Sequence, residues 1–210
     1  MLNPKTLAII FILLNFALAI YFYPQLPDQL ASHWNSNGEV DSYMSRDMGT
    51  FLLPVMAVAI YLLMLYLPRL DPLKKNYKQF QSEYDSFILV MSIFFTYIYT
   101  LTIVFNLGFY FNMSQAVPPV MSLLFLFIAN LMKKSKRNWF VGIRNPWTLS
   151  SEKVWNKTHK LGSLIFKLFA VVFLFPMFIP NSMTIVITIL LAGVTGLFIY
   201  SYMEYKKENA

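Results

Sequence analysis

Six stretches of this chain are long and apolar enough to cross a bilayer, or nearly so, and that limits the fold more than any motif does. They are Leu7–Tyr23, Phe51–Leu67, Phe87–Phe111, Val117–Met132, Leu161–Ile179 and Met183–Met203. A helix needs about 20 apolar residues to span the hydrocarbon core, within a range of roughly 17 to 25. Lipid offers the backbone no hydrogen-bond partner, so each stretch is expected to be a helix. The shortest opens on Pro118-Pro119, tolerated at a helix start where the first N–H groups have no intrahelical acceptor. Lys167 lies early in the fifth stretch, and its long stem can carry the ammonium back to the headgroups. With 57% hydrophobic and 13% charged residues, the composition lies outside the soluble globular range. The expected class is an all-α integral membrane protein with six transmembrane helices.

The net charge of +7 is informative only through its placement. One cation, Arg46, lies in the segment from Pro24 to Thr50, and the links Asn112–Ala116 and Pro180–Ser182 have none. The other sixteen are Lys5, Arg69, Lys74, Lys75, Lys78, the nine from Lys133 to Lys167, and Lys206-Lys207. Cationic loops stay inside, so both termini are expected to be cytoplasmic. No small-residue cleavage site follows the first stretch, which continues Tyr21-Phe22-Tyr23-Pro24, so it reads as a retained anchor.

The loop after the first span is then outside. It carries Asp28, Glu39, Asp41 and Asp47 against Arg46, a charge of −3, which would concentrate a cationic peptide near it. Asn37-Gly38 is a turn signal, with Leu30 to Trp34 and Val40 to Met44 as two short extended arms. The first inner loop, Pro68 to Asp85, mixes charges of both signs and reads as a solvated connector.

The second inner loop carries more information. From Asn138 to Thr148 it holds Trp139, Phe140, Gly142, Pro146 and Trp147 around Arg144, just after Lys133, Lys134, Lys136 and Arg137. These residues are expected both to pack on the membrane surface and to hold a specific loop shape. Pro146 stops a helix coming from Lys133. Thr148 or Ser150 can cap a new one with Glu152 in its first turn. In that helix Trp155, His159, Gly162 and Phe166 share a face while Lys153, Lys157 and Lys160 share another. The expectation is an interfacial helix running into the fifth span, cations toward anionic lipid headgroups. Arg144 is a planar fork suited to a lipid phosphate or a partner's carboxylate.

Chemistry is conspicuous by its absence. There is no cysteine, hence no disulfide framework or thiol nucleophile. His33 with Asp28, Glu39 or Asp41 falls short of the converging set that a zinc site needs. The chain has no Gly-x-Ser-x-Gly, no Gly-x-x-x-x-Gly-Lys and no His-Glu-x-x-His. We expect no enzyme, no cofactor, no metal site and no direct nucleic-acid contact. No Asp or Glu falls within the six stretches, which disfavours proton-coupled transport. Asn15, Asn106, Asn130, Thr96, Thr100 and Thr102 are expected to bond between helices.

Two motifs carry a resemblance. The outer loop reads Leu26-Pro27-x-x-Leu30-x-x-His33-Trp34-Asn35-x-x-Gly38-x-x-Asp41-x-Tyr43-x-Ser45. It resembles DUF1648, a short domain that recurs in Gram-positive membrane proteins. The inner loop reads Asn138-x-x-x-Gly142-Ile143-Arg144-x-Pro146-Trp147-Thr148-Leu149-Ser150-Ser151-Glu152-x-Val154-Trp155-x-x-Thr158-His159. It resembles the signature of the SdpI family of immunity proteins without departure.

The resemblance implies protection against a secreted, membrane-active peptide toxin, or bacteriocin. It also implies a signalling role, in which a receptor holds a small winged-helix autorepressor at the membrane. Carried onto this chain, His33, Trp34, Asn35, Gly38, Glu39 and Asp41 would face the toxin. Asn138, Gly142, Arg144, Pro146, Trp147, Thr148, Trp155 and His159 would form the cytoplasmic signature. Three parts are expected: 1–67, two spans with the DUF1648-like loop at 24–50; 68–132, a connector and the third and fourth spans; and 133–210, the signature loop and the last two spans. The expected location is the plasma membrane of a prokaryotic cell. Two other functions compete: a small-solute permease or channel, and a membrane anchor for a transcriptional regulator without an immunity role.

Overall fold

The computed structural model describes residues 2–179 and 181–209; of the link expected at Pro180–Ser182, Pro180 lies outside the described residues. All six apolar stretches form helices, though the third ends at Asn106 and the fifth at Val172, short of the apolar runs that continue to Phe111 and Ile179. Helix α1 spans Pro4–Phe22, started by Asn3, whose side chain accepts from the Lys5 N–H. Strands β1 (Gln29–Trp34) and β2 (Val40–Ser45) pair antiparallel, so the two extended arms form one hairpin. Helix α2 (Arg46–Leu70) grows directly out of β2, with Ser45 as its cap.

Helix α3 covers Gln81–Asn106 and a single turn, α4, covers Met113–Ala116. Helix α5 runs over Pro118–Lys134 with its prolines in the first turn, as their missing N–H groups require. A short α6 (Pro146–Ser150) precedes α7 (Glu152–Val172), and α8 covers Met183–Glu208. Helix α1 packs on α2 and α3, α7 packs on α5 and α8, and α3 against α5 joins the two halves. Small residues sit fully buried at these seams, among them Ala8, Ala19, Ala57 and Ala129, and let backbones approach closely. Large apolar side chains such as Leu13, Ile20, Leu164 and Leu191 point outward. That inversion of a soluble protein's pattern is what lipid as solvent favours. The chain is a multi-pass membrane protein.

Contacts assign the two ends of the bundle. Lys5 pairs with Asp85 at 2.9 Å, the Asn76 amide donates to the Arg137 carbonyl at 2.6 Å, and the Ser151 hydroxyl donates to Glu208 at 2.6 Å. The ends of α1 and α8 and both basic loops therefore share one end. The hairpin lies at the other, where the Asn112 side chain donates to the Asn37 carbonyl at 3.4 Å.

Several local expectations change. Ser151, not Thr148 or Ser150, caps α7, accepting from the Val154 N–H; Asn145 caps α6. The helix carrying Trp155 and His159 runs unbroken into the fifth span, and its aromatic stripe is buried in protein. Of the polar residues at depth, Thr96 does bond across helices, to the Phe11 carbonyl at 3.3 Å. Thr100 and Thr102 turn back on their own helix, Asn130 is exposed, and the buried Asn15 side chain has no hydrogen-bond partner among the described residues.

Candidate functional site

The inner loop is built around two buried side chains. Asn138 is fully buried, and its Oδ1 accepts from the N–H groups of Phe140 (2.9 Å) and Val141 (2.6 Å) and from the Tyr77 hydroxyl (3.3 Å). Its amide donates to the carbonyls of Lys136 (2.8 Å) and Val141 (3.0 Å). One residue thus meets the polar needs of a tight turn that no helix or strand could satisfy. Burial and the nearby Asp71 carboxylate push the Tyr77 phenol up, so it stays protonated and remains a donor. Asp71, itself buried, accepts from the N–H of Trp139 at 2.8 Å and of Leu73 at 2.7 Å, which ties the first inner loop to the second.

His159 is the second hub. Its ring stacks on Trp155 at 3.9 Å, and both are buried. Its Nδ1 lies 2.8 Å from the Trp155 carbonyl and its Nε2 accepts the Ile143 N–H at 3.0 Å. A ring that accepts at Nε2 and faces a carbonyl at Nδ1 is neutral, with its proton on Nδ1. Gly142 lies against it at φ +113°, where a Cβ would stand 2.3 Å from Nε2. The glycine is required twice, by its backbone and by the approach of the ring. The Trp155 indole N–H donates to the Ser135 carbonyl at 3.2 Å and so fixes the end of α5.

Asn145 and Thr148 close a reciprocal capping box on α6, with Pro146 in its first turn. The Asn145 amide also donates to the Ser201 hydroxyl of α8 at 2.7 Å, and the Trp147 ring packs on Phe198 and Tyr202. Trp147 is therefore a clasp to α8. Below it the Glu204 carboxylate, buried on α8, takes both Lys157 and Lys207. Arg144 differs from its neighbours. Its guanidinium is exposed, and among the described residues its one hydrogen bond goes to the Trp139 carbonyl at 2.7 Å. With the half-exposed Trp139 ring, it is the part of the signature presented outward.

At the other end the hairpin is seated on the helices. The Asn106 side chain, on the last residue of α3, accepts from the Ala31 N–H at 2.8 Å and donates to the Ala31 carbonyl at 3.0 Å. Leu30 is buried against Gly49, and Trp34 packs edge-on against Phe105 at 5.2 Å. Arg46 pairs with Asp28. At the tip, the Asn35 Oδ1 accepts from the N–H groups of Asn37 and Glu39 while its amide donates to the Glu39 carboxylate at 3.0 Å. Gly38 turns at φ +83° directly against Asn112. His33 pairs with Asp41 across the strands, both exposed. Among the described residues no three potential metal ligands converge.

These two ends coincide with the segments that known families match. Residues 10–58 match DUF1648, a domain of unknown function, and residues 134–202 match the SdpI/YfhL protein family. The chain carries the SdpI/YfhL-family domain. It is also 25% identical over 211 residues, covering 99% of each chain, to the immunity protein SdpI of Bacillus subtilis (strain 168). No solved structure matches it. The SdpI/YfhL segment runs from the end of α5 into α8 and includes every inner residue singled out from the sequence. The structure buries Asn138 at one hub and Trp155 and His159, with Gly142 against the ring, at another; it ties Asn145 and Trp147 to α8, bonds Thr148 to Asn145, and leaves Arg144 and Pro146 exposed. Sequence reasoning missed Asp71, Tyr77, Ser201 and Glu204, which brace the inner loop and the helices around it, and Asn112, which braces the hairpin. Asn106 stood out as a polar residue at depth, but its partner is the hairpin rather than another helix.

Proposed function

We propose that this chain is a membrane immunity protein: it binds a secreted, cationic, membrane-active peptide at the hairpin end and protects the cell that makes it. The observation that carries this reading is its end-to-end similarity to the immunity protein SdpI. A rigid hairpin bearing four carboxylates against one arginine supports it, since such a rim attracts a cationic peptide. The hairpin then faces outward, and the basic end, with both termini, faces the cytoplasm. The role is binding, not catalysis, and no cofactor or direct nucleic-acid contact is part of it.

The test is tolerance. Expression in a cell lacking the protein raises survival against at least one member of a panel of membrane-active peptides, and Asp41→Lys weakens that gain. Unchanged survival against every peptide in the panel refutes the reading. On the inner face, the exposed Arg144 beside Trp139 supports a signalling arm, in which an acidic surface of a small winged-helix autorepressor docks there. Arg144→Ala then abolishes co-purification of such a repressor while leaving tolerance intact. If no repressor is captured by the wild type, the signalling arm falls and the immunity reading stands.

A further inference from the structure

Beneath the hairpin lies a cleft of about 430 Å³, within the range of built ligand sites. Its walls are apolar: Leu52 and Leu53 of α2, Ile98 and Leu101 of α3, Val117 at the start of α5, and Met183 at the start of α8. Its polar lining is Ser32, His33 and Asn35 on the hairpin, with Thr102 of α3 and Ser114 of α4. Two of the hairpin residues are bonded to carboxylates, His33 to Asp41 and Asn35 to Glu39. The cleft is therefore mainly apolar, with two carboxylates one hydrogen bond behind its hairpin edge. Its roof is fixed, because Asn106 holds the Ala31 backbone from both sides, Leu30 fills the space over Gly49, and Asn112 underlies Gly38.

We propose that this cleft is the peptide-binding site: it takes the apolar face of one cationic amphipathic peptide segment, whose lysine or arginine side chains lie against Asp41 and Glu39. The inference rests on the immunity reading and locates the contact that reading leaves unplaced. An acyl chain of a bilayer lipid also matches the apolar walls. Its anionic phosphate would then approach the carboxylates behind the hairpin edge, where like charges repel. A cationic amphipath satisfies both parts at once.

The chain has no cysteine, so the cleft can be plugged after folding. Leu101→Cys is purified, alkylated with a bulky maleimide and reconstituted into liposomes, with Leu191→Cys on the outward face of α8 as the control. The probe is a fluorescent copy of the panel peptide against which the wild type protects, and lipid-only liposomes give the background. Binding weakens at least ten-fold on plugging Leu101→Cys and is unchanged on plugging Leu191→Cys. A second variant, Ile98→Phe, read by tolerance in cells at equal membrane abundance, loses protection. Plugged and unplugged Leu101→Cys binding the peptide equally overturns the cleft while leaving the immunity reading in place. A wild type that protects against no peptide overturns both. A photo-reactive maleimide at Leu101→Cys that captures lipid alone when peptide is present also overturns the proposal.

Discussion

Gly142→Ala is the substitution whose cost can be worked most directly from the inner loop. The backbone there sits at φ +113°, well outside the left-handed well that a residue with a Cβ can visit. Holding alanine in such a conformation costs about 1–3 kcal/mol. The new methyl would also stand 2.3 Å from the His159 Nε2, and the ring cannot retreat. It is stacked on Trp155 at 3.9 Å and held through Nδ1 on the Trp155 carbonyl. Either the loop or the ring moves, and the Ile143 N–H then loses its acceptor, a further loss of about 1–3 kcal/mol for a buried donor. Gly108→Ala is the matched control. Its φ is +96°, yet among the described residues nothing lies within 4 Å of the added Cβ, so it carries the backbone cost alone. The difference between the two variants is therefore the His159 contact. A gap of about 1–2 kcal/mol changes the folded-to-unfolded ratio about 5- to 30-fold. Reversible SDS titration in mixed micelles, followed by tryptophan fluorescence, reads this as an earlier midpoint for Gly142→Ala than for Gly108→Ala. Equal midpoints would refute the assignment of His159 as the loop's anchor.

Other outcomes follow from the same contacts. Asn106→Leu removes both hydrogen bonds to Ala31 at constant shape, so hydrogen exchange of the hairpin amides speeds at least ten-fold while α5 and α7 keep their protection; unchanged hairpin exchange would show that Leu30 packing alone seats it. Asn138→Ala strips five hydrogen bonds from the turn and costs at least about 3 kcal/mol. Asn138→Asp, which keeps the acceptor and loses both donations, falls between it and the wild type in thermal denaturation. Ser36→Cys at the hairpin tip reacts with an impermeant maleimide on intact cells and Ser151→Cys reacts only after permeabilisation; the reverse pattern inverts the orientation.

The transmembrane architecture was legible because lipid leaves so few options. Once six runs of the right length exist, helices are the only way to satisfy their backbones. The hairpin was legible from Asn37-Gly38 between two extended arms, since the turn demands positive φ and glycine supplies it. In the inner loop the individual residues stood out but their roles did not. Trp155 and His159 share a helical face whether that face meets lipid or protein, and only the fold shows them buried under Gly142 and Ile143. Likewise Pro146 marked a helix boundary, but the cap expected at Thr148 or Ser150 is Ser151. Thr148 is occupied with Asn145, and the Ser150 hydroxyl donates back to the Trp147 carbonyl. Asp71 and Ser201 were invisible for a different reason. Each is bonded to a residue far away in sequence, 68 positions for Asp71 and 56 for Ser201, and neither has a local pattern to mark it. Glu204 lies one residue past the last apolar run, where a carboxylate reads as solvated until its two lysine partners are placed.

The two end structures stand on different helices, and this bears on whether they can influence one another. The hairpin is seated on α3 through Asn106 and on α2 through Gly49. The inner loop is seated on α7 through His159 and on α8 through Ser201. Helix α8 is one element that touches both functional regions: Met183 at its start lines the outer cleft, and Ser201, Phe198 and Tyr202 near its other end hold Asn145 and Trp147. It is also the least buried of the six spans, so a small shift of α8 disturbs fewer packed contacts than the same shift of α3. A peptide in the cleft that displaces Met183 would therefore bear on the loop that presents Arg144. Such coupling is reciprocal in free energy: if peptide strengthens binding of an inner partner by some factor, the partner must strengthen peptide binding by the same factor. Measuring both affinities, each with and without the other ligand, decides the matter, because Ser201→Ala should reduce the shared factor while leaving peptide affinity alone unchanged.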